Sequence, residues 1–372
     1  VLWTGPIQGG AHLDLVEKSA EETSKMNFDI YALGSPTEVM ESYNFRLLTA
    51  MVMAAKRNIP IERPLHLFGA GHPLTIPLAV ALGCDLFDSA SYMLYAREDR
   101  YLTDSGTVRL KELTYLNCVC PICTSHSPQD LMKQEKSERS VNIAIHNLHI
   151  LLKAVKESKE AIREGRLWEH LGAKARCHPR LWEAFNGLEA YSDFLEDGVP
   201  LFKSKAVFFM SSPDYARPEV TRYRTRLIHD VELKKPTLLL LPETEVRPFY
   251  KSQLYSAISK TLGEKLNDVQ ICFLAHPLGA IPVELSDIYP LAQYESAVKP
   301  DAYTGSLQAV VDDIERMVKR NRFSEVVMLV DGAYSRGVAS ELGKMISIRM
   351  VEAEEDLLMT SEKVASKLQK MG

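Results

Sequence analysis

The sequence predicts an α/β protein in two parts, the C-terminal half of a (β/α)8 TIM barrel followed by a second α/β domain. Three observations carry this expectation. Short apolar runs at residues 2–8, 28–33, 65–68 and 84–88 alternate with amphipathic stretches at 13–26, 38–57 and 74–82, the spacing of βα units and a parallel sheet. Each run ends in small or polar residues: Gln8-Gly9-Gly10, Gly34-Ser35-Pro36, Gly69-Ala70-Gly71 and Asp88-Ser89-Ala90. Side chains able to do chemistry therefore collect at the strand ends where such a barrel keeps its active site. Beyond residue 195 the pattern shifts to β-rich runs at 205–210, 237–241, 269–274 and 326–330, separated by helical stretches such as 251–262 and 307–320 and closed by a charged helix over 351–371. The expected domains are thus 1–195 and 196–372. Four βα units make only half a barrel, so about four more are expected upstream or in a partner. The chain starts inside a strand without an initiator Met, which suggests a processed or partial polypeptide.

A hydrophobic content of 46% with 25% charged residues is that of an ordinary globular chain, and no run of about 18 uncharged apolar residues marks a membrane span. With no signal-peptide pattern at Val1-Leu2-Trp3-Thr4-Gly5 either, the expected location is cytoplasmic. The formal net charge of -5 excludes a chain coated in positive charge, while leaving room for a locally basic groove. Arg222, Arg224 and Arg226 form one basic cluster and Lys319, Arg320 and Arg322 another. Either can meet phosphates, but acidic residues surround both, and a solvated charged face is the default.

Six cysteines are too few for a disulfide scaffold, and three of them crowd into Cys118-Val119-Cys120-Pro121-Ile122-Cys123. Three thiolates at this spacing wrap one side of a tetrahedral zinc ion and need a fourth ligand, for which His126, His146 and His149 are the candidates. The last two fall on a helical stretch, 140–164, that places Ile145, Leu148, Leu151, Leu152 and Val155 on one face. A second helical pattern covers 168–191. Four protein ligands leave no open coordination position, so the expected zinc subdomain, about residues 115–150, is structural.

Asp88 ends the fourth strand and is followed by small residues. A carboxylate there can act as a nucleophile that traps an oxocarbenium-like carbon, or merely cap the helix that follows. Phe68, at the neighbouring strand end, can stack on a flat base or serve as core. Gln8 and the turn at Gly34-Ser35 add amide and backbone groups suited to a purine edge, or are plain turn residues.

Taken together, Gly5-Pro6-Ile7-Gln8-Gly9-Gly10, Leu67-Phe68-Gly69-Ala70-Gly71-His72-Pro73, Asp85-Leu86-Phe87-Asp88-Ser89-Ala90-Ser91-Tyr92 and the cysteine cluster followed by His146-Asn147 resemble the tRNA-guanine transglycosylases, specifically the archaeal, archaeosine-forming branch. The likeness runs from about residue 2 to about residue 196. It implies that Asp88 attacks C1′ of the target nucleoside, that Gln8 and the Gly34-Ser35 backbone hydrogen-bond the heterocycle, that Phe68 stacks on it, and that Cys118, Cys120, Cys123 and His146 hold one structural zinc. The implied reaction exchanges guanine for preQ0 (7-cyano-7-deazaguanine) at position 15 of tRNA. It also implies a homodimer. A second pocket aspartate and a base-reading aspartate of the family belong to the barrel half that this chain lacks.

The second part resembles the domain that follows the barrel in archaeal transglycosylases and, more distantly, a domain of archaeosine synthase. His276-Pro277-Leu278-Gly279-Ala280-Ile281-Pro282 and Asp287-Ile288-Tyr289-Pro290-Leu291-Ala292 carry that likeness. Archaeosine synthase has a cysteine in a matching segment, whereas this chain reads Pro242-Glu243-Thr244-Glu245-Val246-Arg247-Pro248. The family usually continues into a PUA RNA-binding domain, and the end at Gly372 suggests a split enzyme with a separate PUA polypeptide. The competing expectations are a noncatalytic transglycosylase-like subunit and an archaeosine-synthase-like tRNA modifier.

Overall fold

A computed structural model describes residues 1–297 and 304–369, which divide into two compact units, Val1–Gly198 and Val199–Gly372. In the first unit, strands β1 (Thr4–Ile7), β2 (Ile30–Leu33), β3 (Leu65–Leu67) and β4 (Leu86–Phe87) form one parallel sheet in chain order. Successive strands are joined through helices Leu13–Ser24, Phe45–Lys56 and Thr75–Ala81, as the alternating pattern predicts. Among the described residues the sheet is open and does not close into a barrel.

Side chains of a strand alternate between faces, and here the two faces differ. Ile7, Leu33, Leu65 and Leu67 turn to the helices and are fully buried against Val16, Leu48, Val52 and Leu78. Pro6, Leu86 and the strand-end residues Gln8, Phe68 and Asp88 fall on the opposite face and are exposed.

Two expected long helices are broken, each for a local reason. The stretch 38–57 divides into Thr37–Glu41 and Phe45–Lys56 because Tyr43 adopts a left-handed φ of 55° and the Asn44 side chain accepts from Leu47 N–H at 3.2 Å, starting a new helix. The stretch 168–191 breaks before Pro179, which opens a helix at Pro179–Asn186 with His178 as its cap. A hairpin of β5 (Arg100–Thr103) and β6 (Gly106–Arg109), unforeseen in the sequence, precedes the cysteine cluster.

The helix Lys136–Arg163 corrects the expected apolar face. Leu151 is buried with Ile143, Ala144, Ile150 and Ala154, whereas Ile145, Leu148 and Leu152 are exposed, together with Val141. Val155 is partly buried. The helix is apolar on two sides, and among the described residues only one is covered.

In the second unit, five strands lie in the order β10-β9-β8-β12-β13, with β8 (Thr237–Pro242), β9 (Val269–Ala275), β12 (Glu325–Val330) and β13 (Arg349–Glu352) parallel and β10 (Gly279–Pro282) antiparallel to β9. Strands β7 (Val207–Phe209) and β11 (Tyr294–Ser296) make a small separate pair. Every residue of β8 and β9 is buried, as expected for central parallel strands covered on both faces. Helix Gln253–Leu262 packs on Leu357–Gln369, while Thr304–Asn321 packs on Ala333–Leu342 and on Pro218–His229. The expected closing helix over 351–371 is instead the edge strand β13 followed by the shorter helix Leu357–Gln369, and Met371 lies outside the described residues.

The two basic clusters are largely engaged within the unit. Arg222 donates to the carbonyls of Val199 and Pro200, Arg224 pairs with Asp313, Lys319 pairs with Glu315, and Arg320 donates to the Ile228 carbonyl.

Candidate functional site

The parallel register brings the residues singled out in the sequence to one end and one face of the first sheet. Ile7 pairs with Leu33, so Gln8 and Gly34 lie one step beyond on neighbouring strands, and His66 pairs with Leu86, two residues before Asp88. The side-chain oxygen of Gln8 accepts from Ser35 Oγ at 3.0 Å. A Cβ at Gly34 would lie 2.3 Å from Gln8 Nε2, so glycine is what lets the amide lie across the turn. Ser35 carries a left-handed φ of 67°.

Asp88 is open to solvent, with its side chain 55% exposed, and is nevertheless held at one oxygen. Oδ1 accepts from Gly69 N–H at 3.1 Å and lies 3.0 Å from His66 Nε2. Gly69 can present its N–H because it adopts a φ of 72°, a conformation that a side chain would disfavour. Phe68 is 37% exposed and meets the His66 ring edge-on, with centroids 4.5 Å apart. Among the described residues Asp88 does not cap the helix Ser91–Arg97 that follows it, whose N-cap is Ala90 without a side-chain bond.

The cysteine cluster is a second, buried constellation in the same unit. Cys118, Cys120, Cys123 and His146 place their ligand atoms within 4.8 Å of one another, a group that can hold a metal ion. His146 Nδ1 lies 3.6 Å from Cys120 Sγ and 3.3 Å from Cys123 Sγ. A tetrahedral zinc ion with ordinary Zn–S and Zn–N distances has N···S edges of about 3.6 Å, so the donors fit. His126 contacts the Ile122 carbonyl through Nδ1, and His149 is exposed; neither joins the group.

The surroundings orient these ligands. His146 Nε2 lies 2.8 Å from the Leu102 carbonyl, which accepts its proton and leaves Nδ1 as the lone-pair nitrogen. Burial pushes the His146 pKa down to about 4, keeping the ring neutral. The Tyr101 ring stacks on His146 with centroids 3.6 Å apart, and its hydroxyl lies 3.3 Å from Cys123 Sγ. Cys120 N–H donates to Cys118 Sγ at 3.4 Å, and the helix Pro121–Ser125 starts directly after Cys120, carrying Cys123 back toward it. Burial pushes the Cys123 thiol up to about 12 and raises the Cys118 thiol too, so a metal ion entering the cluster displaces protons.

Sequence reasoning missed three residues. His66 looks like one polar interruption between two leucines. Tyr101 sits on the unforeseen hairpin. In the sequence Asn147 stands out only as the neighbour of His146, yet it is fully buried and makes three bonds: Oδ1 accepts from Leu102 N–H at 2.8 Å, and Nδ2 donates to the carbonyls of Arg100 at 3.0 Å and Tyr92 at 3.1 Å. Consecutive residues of one helix thus supply a candidate ligand and the pin that fixes the hairpin beside it. Removing that pin by Asn147→Ala leaves the Leu102 N–H and the Arg100 carbonyl without this partner and is expected to cost about 2–5 kcal/mol. Denaturant unfolding monitored across the transition measures it, and a loss within error of zero would contradict this account.

The first unit is thus an α/β fold whose parallel βα units gather a carboxylate, an aromatic ring and an amide at one end of the sheet, with a Cys3His cluster elsewhere in the same unit. Residues 1–180 match the family model for queuine tRNA-ribosyltransferase, and residues 220–371 match a domain of unknown function. Over residues 1–180 the chain is thus similar to the queuine tRNA-ribosyltransferases. It is 39% identical over 302 residues to the tRNA-guanine(15) transglycosylase of Methanocaldococcus jannaschii, covering 79% of this chain and 44% of that protein. It is 38% identical over 340 residues to the tRNA-guanine(15) transglycosylase of Saccharolobus solfataricus, covering 88% of this chain and 65% of that protein. For that of Methanococcus aeolicus the identity is 35% over 303 residues, 80% of this chain and 44% of the relative. The chain therefore spans between 44% and 65% of the length of these curated relatives. No helix among the described residues is long and apolar enough to cross a membrane.

Proposed function

We propose that this chain is part of a tRNA-guanine(15) transglycosylase that exchanges guanine for preQ0 in tRNA through a covalent intermediate on Asp88. The observation that carries the reading is the convergence of Asp88, Phe68, Gln8 and Gly34 on the open face of one parallel sheet. An oxygen of Asp88 attacks C1′ of the target nucleoside as the C1′–N9 bond breaks, and its electron pair leaves on guanine, which takes up a proton to depart. The incoming preQ0 gives up its N9 proton, attacks C1′ and frees the carboxylate. Phe68 stacks on the base, while Gln8 and the Gly34-Ser35 backbone read its polar edge.

A (β/α)8 barrel is supported by the exposed inner face of the open sheet, which further strands would cover. Zinc at Cys118, Cys120, Cys123 and His146 has all its ligands from the protein, so its part is to tie the cysteine loop to the helix Lys136–Arg163. The exposed stripe Val141, Ile145, Leu148 and Leu152 supports a homodimer, since apolar residues at this spacing suit a helix-to-helix contact with a second copy. Leu148→Glu is expected to convert a dimer into a monomer in sedimentation, with the melting transition of the protomer retained. A dimer that survives the change would place the interface elsewhere.

The reading includes a separate PUA-type RNA-binding protein, supported by the net charge of -5 and by arginines already spent on internal contacts. The decisive experiment is incorporation of labelled guanine and labelled preQ0 into tRNA by the natural polypeptide containing this chain, with and without such a protein. Incorporation confined to position 15 is expected. No exchange under any of these conditions would sink the reading, and equal rates with and without the second protein would remove the partner alone.

A further inference from the structure

We infer that His66 is the positioning residue of the nucleophile: it and Gly69 N–H bind Asp88 Oδ1, which leaves Oδ2 as the oxygen that attacks. The inference rests on the role proposed above for Asp88. The sequence puts His66 between Leu65 and Leu67, both fully buried against the helices, and strand alternation then turns the imidazole to the face that carries Asp88. Its Nε2 lies 3.0 Å from Oδ1, and with an ionised Asp88 this nitrogen carries the proton and donates. Gly69 N–H reaches the same oxygen at 3.1 Å, and Oδ2 accepts no hydrogen bond among the described residues.

An aspartate with no ties rotates about its last side-chain bond and presents either oxygen. Two N–H groups on one oxygen fix that rotation before substrate arrives, which is how orientation lowers a barrier. The same imidazole touches Phe68 edge-on, so one ring spaces the nucleophile from the stacking surface. A solvated His–Asp pair with no such role would contribute little to any measurement, and its loss would leave turnover unchanged.

The test uses the natural polypeptide containing this chain and three substitutions. His66→Phe keeps an aromatic edge against Phe68 and removes the donor, and His66→Gln restores an N–H near the Nε2 position. For His66→Phe, kcat for guanine exchange is expected to fall about 10- to 100-fold while KM for tRNA and for base stays within about threefold. The covalent RNA adduct should form more slowly, and His66→Gln should recover to within about threefold of the parent. Where His66→Phe loses its melting transition, His66→Asn, whose amide stops short of Oδ1, takes its place with the same expected fall. Near-parental kcat in His66→Phe, or a His66→Gln variant as impaired as His66→Phe, overturns the inference. Asp88→Asn measured alongside separates the layers. Full activity there removes Asp88 itself, whereas an inactive Asp88→Asn beside a fully active His66→Phe removes only the positioning role.

Discussion

Asp88→Asn is expected to lower guanine exchange by on the order of 10⁴-fold while tRNA affinity stays within about twofold. The amide keeps the shape of the side chain and can still accept from Gly69 N–H and His66 through its carbonyl oxygen, so the local structure has no reason to collapse. What it lacks is the negative charge that forms and later releases the bond to C1′. Because the side chain is half exposed, the substitution buries no unpaired group and the melting temperature should barely move. Denaturing gels of enzyme mixed with tRNA give the second reading: a slow-migrating covalent species with the parent and none with the variant. Exchange at the parental rate in Asp88→Asn would take this residue out of the chemistry.

Cys120→Ser is expected to reduce zinc from one ion per chain to a small fraction of that, and to destabilise the first unit by several kcal/mol. The serine hydroxyl is a poor replacement for a thiolate. Its neighbours, Cys123 and His146, would remain buried as ligands without an ion between them. A loss of that size corresponds to a melting shift on the order of 10 °C for a unit of this length. Metal analysis on protein purified without chelator, paired with a thermal melt, reads both effects. Full zinc content in the variant, or no zinc in the parent, would end the assignment. Exchange activity should fall later than metal content as temperature rises, because the cluster has no seat for substrate.

Much of the first unit was legible because apolar runs separated by helix-length stretches specify βα units almost regardless of detail. All four strands and the helices Leu13–Ser24 and Thr75–Ala81 stand within a few residues of expectation. The cysteine spacing and the strand-end Asp88 were readable for a similar reason, since both are local patterns. What failed depends on tertiary facts. The exposure of Ile145, Leu148 and Leu152 is one such fact, because periodicity reports that a side is apolar and says nothing about whether anything packs there. The break at Tyr43 is a single left-handed residue inside a stretch that otherwise favours helix. Edge strands β10 and β13 are four residues each, and the latter, Arg349–Glu352, has charged ends that disguise a strand held by its neighbour β12. His66 escaped notice because its meaning lies 22 residues away, in a carboxylate it meets only once the strands are in register.

The helix Lys136–Arg163 is a single 28-residue rod whose inner side carries His146 and Asn147 and whose outer side bears the bare apolar stripe. On the proposed reading, one side answers to an ion and the other to a second copy of the chain. Two ligands that favour the same rigid arrangement of one element help each other by thermodynamic reciprocity. Diluting the protein should then make its zinc easier for a chelator to strip, and stripping the zinc should loosen the pair. Metal retention would report protein concentration, and a cell making little of this chain would hold it in a state more readily emptied than one making it in abundance.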